Sequence, residues 1–285
     1  MNHLEPAPGE PHPGEPAHTG LDPDPRNWAD IFTVTVDTVP VNCIRPIDTD
    51  RPTWGIYKDG HHTYTDYLGT LHARTDSDGL WHVQKTQERH TTLADAIRTL
   101  RRPQSWQAER ERVVDWARAI LNDTELLLVD VQTTGLSQPW AVQIGALDHQ
   151  GRILLDETIN PDSSIDPRAS ALHGITTHRV VSAPTFADLL PQLTNLVTGK
   201  RCLAYNVAFD KEVFRRELLR HHRREGPVRR WLAASRWEDA MRPCAVAAGL
   251  WSAKYGTYQR QRMGGCYDAV RNCRILLDHV RRLAQ

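Results

Sequence analysis

The stretch Leu126-Leu-Leu-Val-Asp-Val-Gln-Thr-Thr-Gly135 leaves this chain few folds to choose from. It is apolar almost without interruption, which is the pattern of a central strand covered on both faces rather than on one. An acid, Asp130, stands at its end, and a Thr-Thr-Gly turn follows at once. Two positions beyond the acid stands a neutral amide, Gln132.

At 285 residues the chain is long enough for one large domain or two smaller ones. Lys+Arg and Asp+Glu are each 35, so the formal net charge is zero. That balance argues against a strong nonspecific polyanion binder, which carries a basic excess. No apolar run reaches the roughly 18 residues of a membrane helix, and no secretory leader core is present, so a cytoplasmic protein without a membrane partner is expected. The five cysteines include no C-x-x-C pair and read as reduced thiols, with zinc not expected.

Composition divides the chain. Residues 1–26 are rich in Pro, Gly, His and acids and read as a disordered tail. Residues 27–102 read as a small α+β module. Thr33–Val39, Trp54–Tyr57, Tyr67–His72 and Trp81–Val83 have strand character, with turns at Asp59-Gly60 and Asp76–Gly79, and Thr91–Leu100 has helical spacing with Thr91 or Thr92 as its cap. The aromatics Trp54, Tyr57, Tyr64, Tyr67 and Trp81 form either the core of a small sheet or a platform for stacking bases. Residues 103–123 read as an amphipathic connecting helix, and residues 124–285 as the larger domain. There, strands at Leu126–Val131, Ala141–Leu147 and Arg152–Ile159 precede a helix at Phe186–Val197, a strand at Cys202–Tyr205, a helix from Asp210 to about His222 and a last helix from Cys266 to Leu283. The order predicts an α/β sheet covered by helices.

Four pieces stand in order along this domain: Asp130-Val-Gln-Thr-Thr-Gly135, His173-Gly-Ile-Thr176, Tyr205-Asn-Val-Ala-Phe-Asp210 and Gly264-Gly-Cys-Tyr-Asp-Ala-Val-Arg-Asn-Cys273. Together they resemble the DEDDh family of 3′–5′ exonucleases, the proofreading type with a ribonuclease H-like fold. The resemblance covers residues 124–285, and Arg236-Trp-Glu-Asp-Ala-Met241 looks like a segment of actinobacterial members. It implies a mixed sheet covered by helices. It also implies two divalent ions, Mg²⁺ or Mn²⁺, about 4 Å apart that activate a water and stabilise the leaving oxygen of a phosphodiester. Such a family holds the ions with four carboxylates and uses a histidine as general base.

Carried over by position, the resemblance keeps Asp130 and Asp210 as metal ligands. Gln132 stands where the family has Glu. With the glycine pair Gly264-Gly265 and Ala269 aligned, Tyr267 falls at the histidine and Asn272 at the last acid. A competing register puts Asp268 at the last acid and Met263 at the histidine. By the same resemblance Thr133, Thr134, Gly135, His173, Asn206 and Phe209 line the groove for the terminal nucleotide. His173 reads equally as a residue packing a helix start, and Asp210 equally as a helix N-cap.

Gln and Asn keep the shape of Glu and Asp but lose the charge. Losses in a metal's outer shell alone cost roughly 10–100-fold, so weakened or single-ion binding is expected. A tyrosine, with a reference pKa of about 10, is poorly matched to removing a proton from water. The expectation is a pseudo-exonuclease that binds a single-stranded 3′ end or a nucleotide. The alternatives are a working metal-dependent exonuclease with an atypical site, Asp268 supplying a carboxylate from one helical turn below Asn272, and a protein-interaction module whose N-terminal part meets the partner. The basic stretch Arg215–Arg230 reads as a phosphate contact or as a solvated face.

Overall fold

A computed structural model describes residues 21–22, 24–47, 52–58, 66–73, 79–263 and 268–285. Most of the expected tail, the turns at Asp59-Gly60 and within 74–78, Tyr64 and the segment Gly264–Tyr267 lie outside these residues. The described residues form two compact units: those up to Pro103 with Gly249–Gln259, and those of Gln104–Ala248 with Arg260–Gln285.

The first unit is a six-stranded antiparallel meander, β1 (Ile31–Val36), β2 (Val39–Ile44), β3 (Thr53–Lys58), β4 (Tyr67–Ala73), β5 (Trp81–Val83) and β6 (Arg89–His90), hydrogen-bonded in chain order. Helix α1 (Leu93–Leu100) packs Ala96 and Ile97 on its core. Thr92 caps the helix, its side chain accepting from the Asp95 N–H. Trp54 and Trp81 are buried in this core, so of the two readings of the aromatics these two follow the core one. The segment from Gly249 to Gln259 comes from late in the chain and completes the unit. The Arg102 guanidinium donates to the Gly249 carbonyl at 2.6 Å, and Gln259 Nε2 donates to Asp37 Oδ1 at 3.1 Å.

The second unit carries the mixed α/β sheet expected from the sequence. Helix α2 (Trp106–Leu121) leads into strands β7 (Leu126–Thr133), β8 (Ala141–Asp148) and β9 (Ile153–Thr158). Helices α3 (Pro167–His173), α4 (Thr177–Val180) and α5 (Phe186–Val197) follow, then β10 (Arg201–Ala204), α6 (Val207–His222), α7 (Glu225–Ala233), β11 (Arg236–Asp239) and α8 (Met241–Ala248). The hairpin strands β12 (Trp251–Ser252) and β13 (Thr257–Tyr258) belong to the first unit, and α9 (Ala269–Leu283) closes the second. The sheet order is β11-β10-β7-β8-β9, with β7 parallel to β10 and antiparallel to β8. This is the ribonuclease H-like arrangement.

The apolar run of β7 is explained by its two neighbours. Leu127, Val129 and Val131 pack with Phe186, Leu190, Leu193, Val213 and Phe214 of α5 and α6. Leu126 and Leu128 pack on the other face with Ala117 and Ile120 of α2 and Val270 and Leu277 of α9. Each such side chain contributes about 1.5–3 kcal/mol when fully buried. α2 therefore supplies part of the core of the second unit. Asp130 and Gln132 continue the α9-facing alternation at the end of the strand.

α9 lies unusually close to the sheet. A Cβ on Gly145 of β8 would stand 2.6 Å from the Val270 nitrogen and 2.7 Å from the Ala269 carbonyl carbon. Glycine on the strand, with small Ala269 fully buried on the helix, permits this approach. Among the described residues no helix is long and apolar enough to cross a membrane.

Candidate active site

β7, α6 and α9 bring their polar residues together at the end of the central strand. Asp130 Oδ2 accepts from Gln132 Nε2 at 2.7 Å and from Asn272 Nδ2 at 3.2 Å. A carboxylate only accepts, so both amides turn their N–H₂ side toward it. The Asn272 Oδ1 is buried and has no hydrogen-bond partner among the described residues. Asp210 is buried, and its Oδ1 accepts from the Val131 N–H at 3.1 Å.

Burial pushes the Asp130 carboxyl up to about 6, against the pull of the Asn272 and Gln132 hydrogen bonds. Burial, and then the Asp130 charge, hold Asp210 well above the usual carboxylate range. Both acids are thus in surroundings that disfavour their charged forms, and among the described residues neither forms an ion pair with a cationic side chain. Among the described residues no group of three or more His, Cys, Asp or Glu side chains is placed to hold a metal ion.

Asp268 departs from the expectation that it lies in the helix one turn below Asn272. The helix expected from Cys266 begins at Ala269, and Asp268 is its extended N-cap. Its Oδ1 accepts from the Arg271 N–H at 2.8 Å and its Oδ2 from Gln143 Nε2 at 3.2 Å. The carboxylate is spent on the helix end and on β8, which follows from the first-turn N–H groups having no other partner. Asp210 is likewise not an N-cap: α6 begins earlier, at Val207, and Asp210 stands in its first turn. Asn206 precedes the helix in a left-handed conformation (φ 65°, ψ 53°), its N–H donating to Asp239 Oδ1 at 2.9 Å. Asp239 also accepts from the Met241 N–H. Nothing in the sequence pointed to this role for Asp239. Phe209 packs against the core shared by α5 and α6. Tyr267 lies outside the described residues.

The Thr-Thr-Gly turn is tightly held. Thr133 Oγ1 donates to the Gly135 carbonyl at 2.9 Å, and the Asp166 N–H donates to the Thr134 carbonyl at 2.8 Å. His173 stands at the C-terminal end of α3, not at a helix start, followed by Gly174 in the left-handed conformation. Its Nδ1 accepts from the Ile175 N–H at 3.0 Å, so Nε2 carries the proton and donates to the Thr133 carbonyl at 3.1 Å. Burial lowers its pKa, in keeping with a neutral ring. His173 therefore ties α3 to the turn that follows β7.

Two arginines of the basic stretch are ion-paired within the protein. Arg215 bridges Glu212 and Glu225, and Arg220 pairs with Glu217. The described cysteines Cys43, Cys202, Cys244 and Cys273 are free and buried.

Comparison with known proteins finds similarities within the second unit. Residues 127–236 match the family model RNase_T, described as Exonuclease. The DNA polymerase III subunit epsilon of Escherichia coli K12 is 30% identical over 98 residues, 30% of this chain and 40% of the relative. That of Treponema pallidum is 31% identical over 111 residues, 37% of this chain and 52% of the relative. The chain thus spans about half or less of the length of these curated relatives. Among solved structures, Exonuclease X in complex with 5′ overhanging duplex DNA aligns at 23% identity and a TM-score of 0.36, covering 55% of this chain and 92% of that one. E. coli Exonuclease I in complex with a dT13 oligonucleotide aligns at 17% identity and 0.44, covering 54% and 39%. The second unit contains an exonuclease-like domain related to these polymerase subunits.

Proposed function

We propose that the exonuclease-like unit binds a single-stranded nucleic-acid 3′ end or a nucleotide and has lost efficient two-metal hydrolysis. One observation carries this reading: the amide N–H₂ groups of Gln132 and Asn272 both donate to Asp130. In the DEDDh family that this chain resembles, acids stand at those positions. Hard divalent cations need carboxylate oxygens, and two ions need several. Here one ion would meet a single carboxylate and two amides, and the first carboxylate already has neutral partners. The residues do not fit a two-ion centre. The departures also remove the charge that such ions would neutralise, while the packing that shapes the end of β7 is kept.

The nucleotide-binding half of the proposal rests on the ordered Thr133–Gly135 turn, held by His173 and Asp166, at the position where the resembling family meets its substrate end. Relatives bearing the name of a DNA polymerase subunit support a nucleic-acid partner.

The test is degradation of a 3′-labelled single strand with Mg²⁺ or Mn²⁺, run beside Asp130→Ala. Equal, background-level loss of label in both proteins is expected, with the uncut strand retained in a complex that weakens as salt rises. Metal-dependent release of mononucleotides that disappears in Asp130→Ala would overturn the loss of hydrolysis. Absence of any complex would overturn the binding.

A further inference from the structure

Helix α6 delivers Asp210 with its first turn, and two turns on it holds a different part of the site. Glu217 is 1% exposed. One of its oxygens accepts from the Ala141 N–H at 3.0 Å and the other from Arg220 at 2.6 Å. Arg220 also donates to the Pro161 carbonyl at 2.8 Å, and Arg216 donates to the carbonyls of Pro139 and Gln138, each at 3.3 Å. Both guanidinium groups lie over the Trp140 ring, Arg216 at 4.6 Å and Arg220 at 4.2 Å from its centroid. Trp140 is in turn the far stem of the loop that begins at Thr134. Its N–H donates to Thr134 Oγ1 at 3.0 Å, and its carbonyl accepts from the Thr134 N–H at 2.9 Å.

A buried carboxylate is tolerated only when it is paired and hydrogen-bonded. A guanidinium stacked on a partly desolvated indole is held by the electrostatic attraction of the ring face. Together these contacts tie the loop and the start of β8 to α6, the same rigid helix that carries Asp210.

We propose that Arg216, Glu217 and Arg220 are positioning residues. Acting through Trp140, they brace the loop from Thr134 to Trp140 so that Thr133, Thr134 and Gly135 keep a fixed face for a nucleotide end. The inference rests on the nucleotide-binding reading above, but its first readout does not depend on a ligand.

The variant Glu217→Gln/Arg220→Met keeps an acceptor for the Ala141 N–H and leaves no unpaired charge, so it should fold. Trp140→Leu tests the same brace from the loop side, and Trp140→Phe restores an aromatic face. Amide hydrogen exchange across residues 134–141 is expected to quicken roughly tenfold in the first two variants and to return toward the parent rate in Trp140→Phe. Affinity for a fluorescent thymidine oligonucleotide should fall roughly tenfold in parallel. Arg215→Ala, on the same helix but paired with Glu212 and Glu225, should change neither. Unchanged exchange in both brace variants would overturn the inference whatever the oligonucleotide does. Faster exchange with unchanged affinity would overturn the positioning role. If the parent protein does not bind the oligonucleotide, the binding reading fails there, and exchange alone still decides whether the brace sets the loop.

Discussion

Two helices meet the end of β7, and each brings a different side chain to it. α6 brings Asp210, an acid, buried and bonded to the strand through the Val131 N–H. α9 brings Asn272, an amide, to within 3.2 Å of Asp130. Yet α9 is packed at least as closely: it lies against Gly145 with no room for a single added carbon. What places a helix on this sheet is backbone approach and apolar packing, and these do not depend on whether the residue at the rim carries a charge. The backbone frame at the end of β7 is therefore set independently of the charge it presents.

The largest expected effect bears on the packing side of that contrast. Gly145→Val would drive its Cβ into the backbone of Ala269 and Val270. A loss of about 3 kcal/mol in denaturant unfolding is expected, at the upper end for overpacking. A midpoint close to the parent's would break the claim that close approach, rather than side-chain chemistry, fixes α9.

The second prediction addresses the electrostatic side. Gln132→Glu/Asn272→Asp places carboxylates at both amide positions without altering the packed residues. Thermal melts should show stabilisation by Mn²⁺ of about 2.7 kcal/mol at a hundredfold excess over the dissociation constant, with little change in the parent. Equal responses of the two proteins would mean that the amides do not separate this site from a metal-binding one.

A smaller effect sharpens the comparison within α6. Asp210→Asn keeps an acceptor for Val131 and removes an acid that burial holds well above the usual carboxylate range, so the unfolding midpoint at neutral pH should rise. The folded-state pKa values of Asp130 and Asp210 are raised, so the folded protein binds protons more tightly than the unfolded chain. Their contribution is fully present below the unfolded carboxylate pKa of about 3.9. It is lost as pH rises through the folded values, about 6 for Asp130. The advantage of Asp210→Asn should therefore grow with pH across that window. An advantage independent of pH would rule out the buried charge as its cause.

Much of the second unit was legible in the sequence because its signals are local. The apolar run of β7, the helix at Phe186–Val197 and the four short motifs each occupy a few neighbouring residues, and all appear in the expected order. Where the sequence reading went astray, the deciding partner was distant in the chain. Asp268 looked like a member of a helical face and is a cap, because Gln143, 125 residues away, and the Arg271 N–H claim its oxygens. The basic run on α6 read as a phosphate contact or a solvated face, and neither reading foresaw that Glu217 and the Trp140 loop take two of its arginines.

The sequence by itself determined which residues stand at the end of β7, and so that two of them are amides. Residue identity and local periodicity are properties of the chain alone. Only the tertiary structure decided which way those amides turn, that Asp130 and Asp210 are raised by burial, and that the segment Gly249–Gln259 completes the first unit rather than the second. Hydrogen-bond direction, desolvation and the return of a late segment to an early sheet depend on groups far apart in sequence, which no local pattern records.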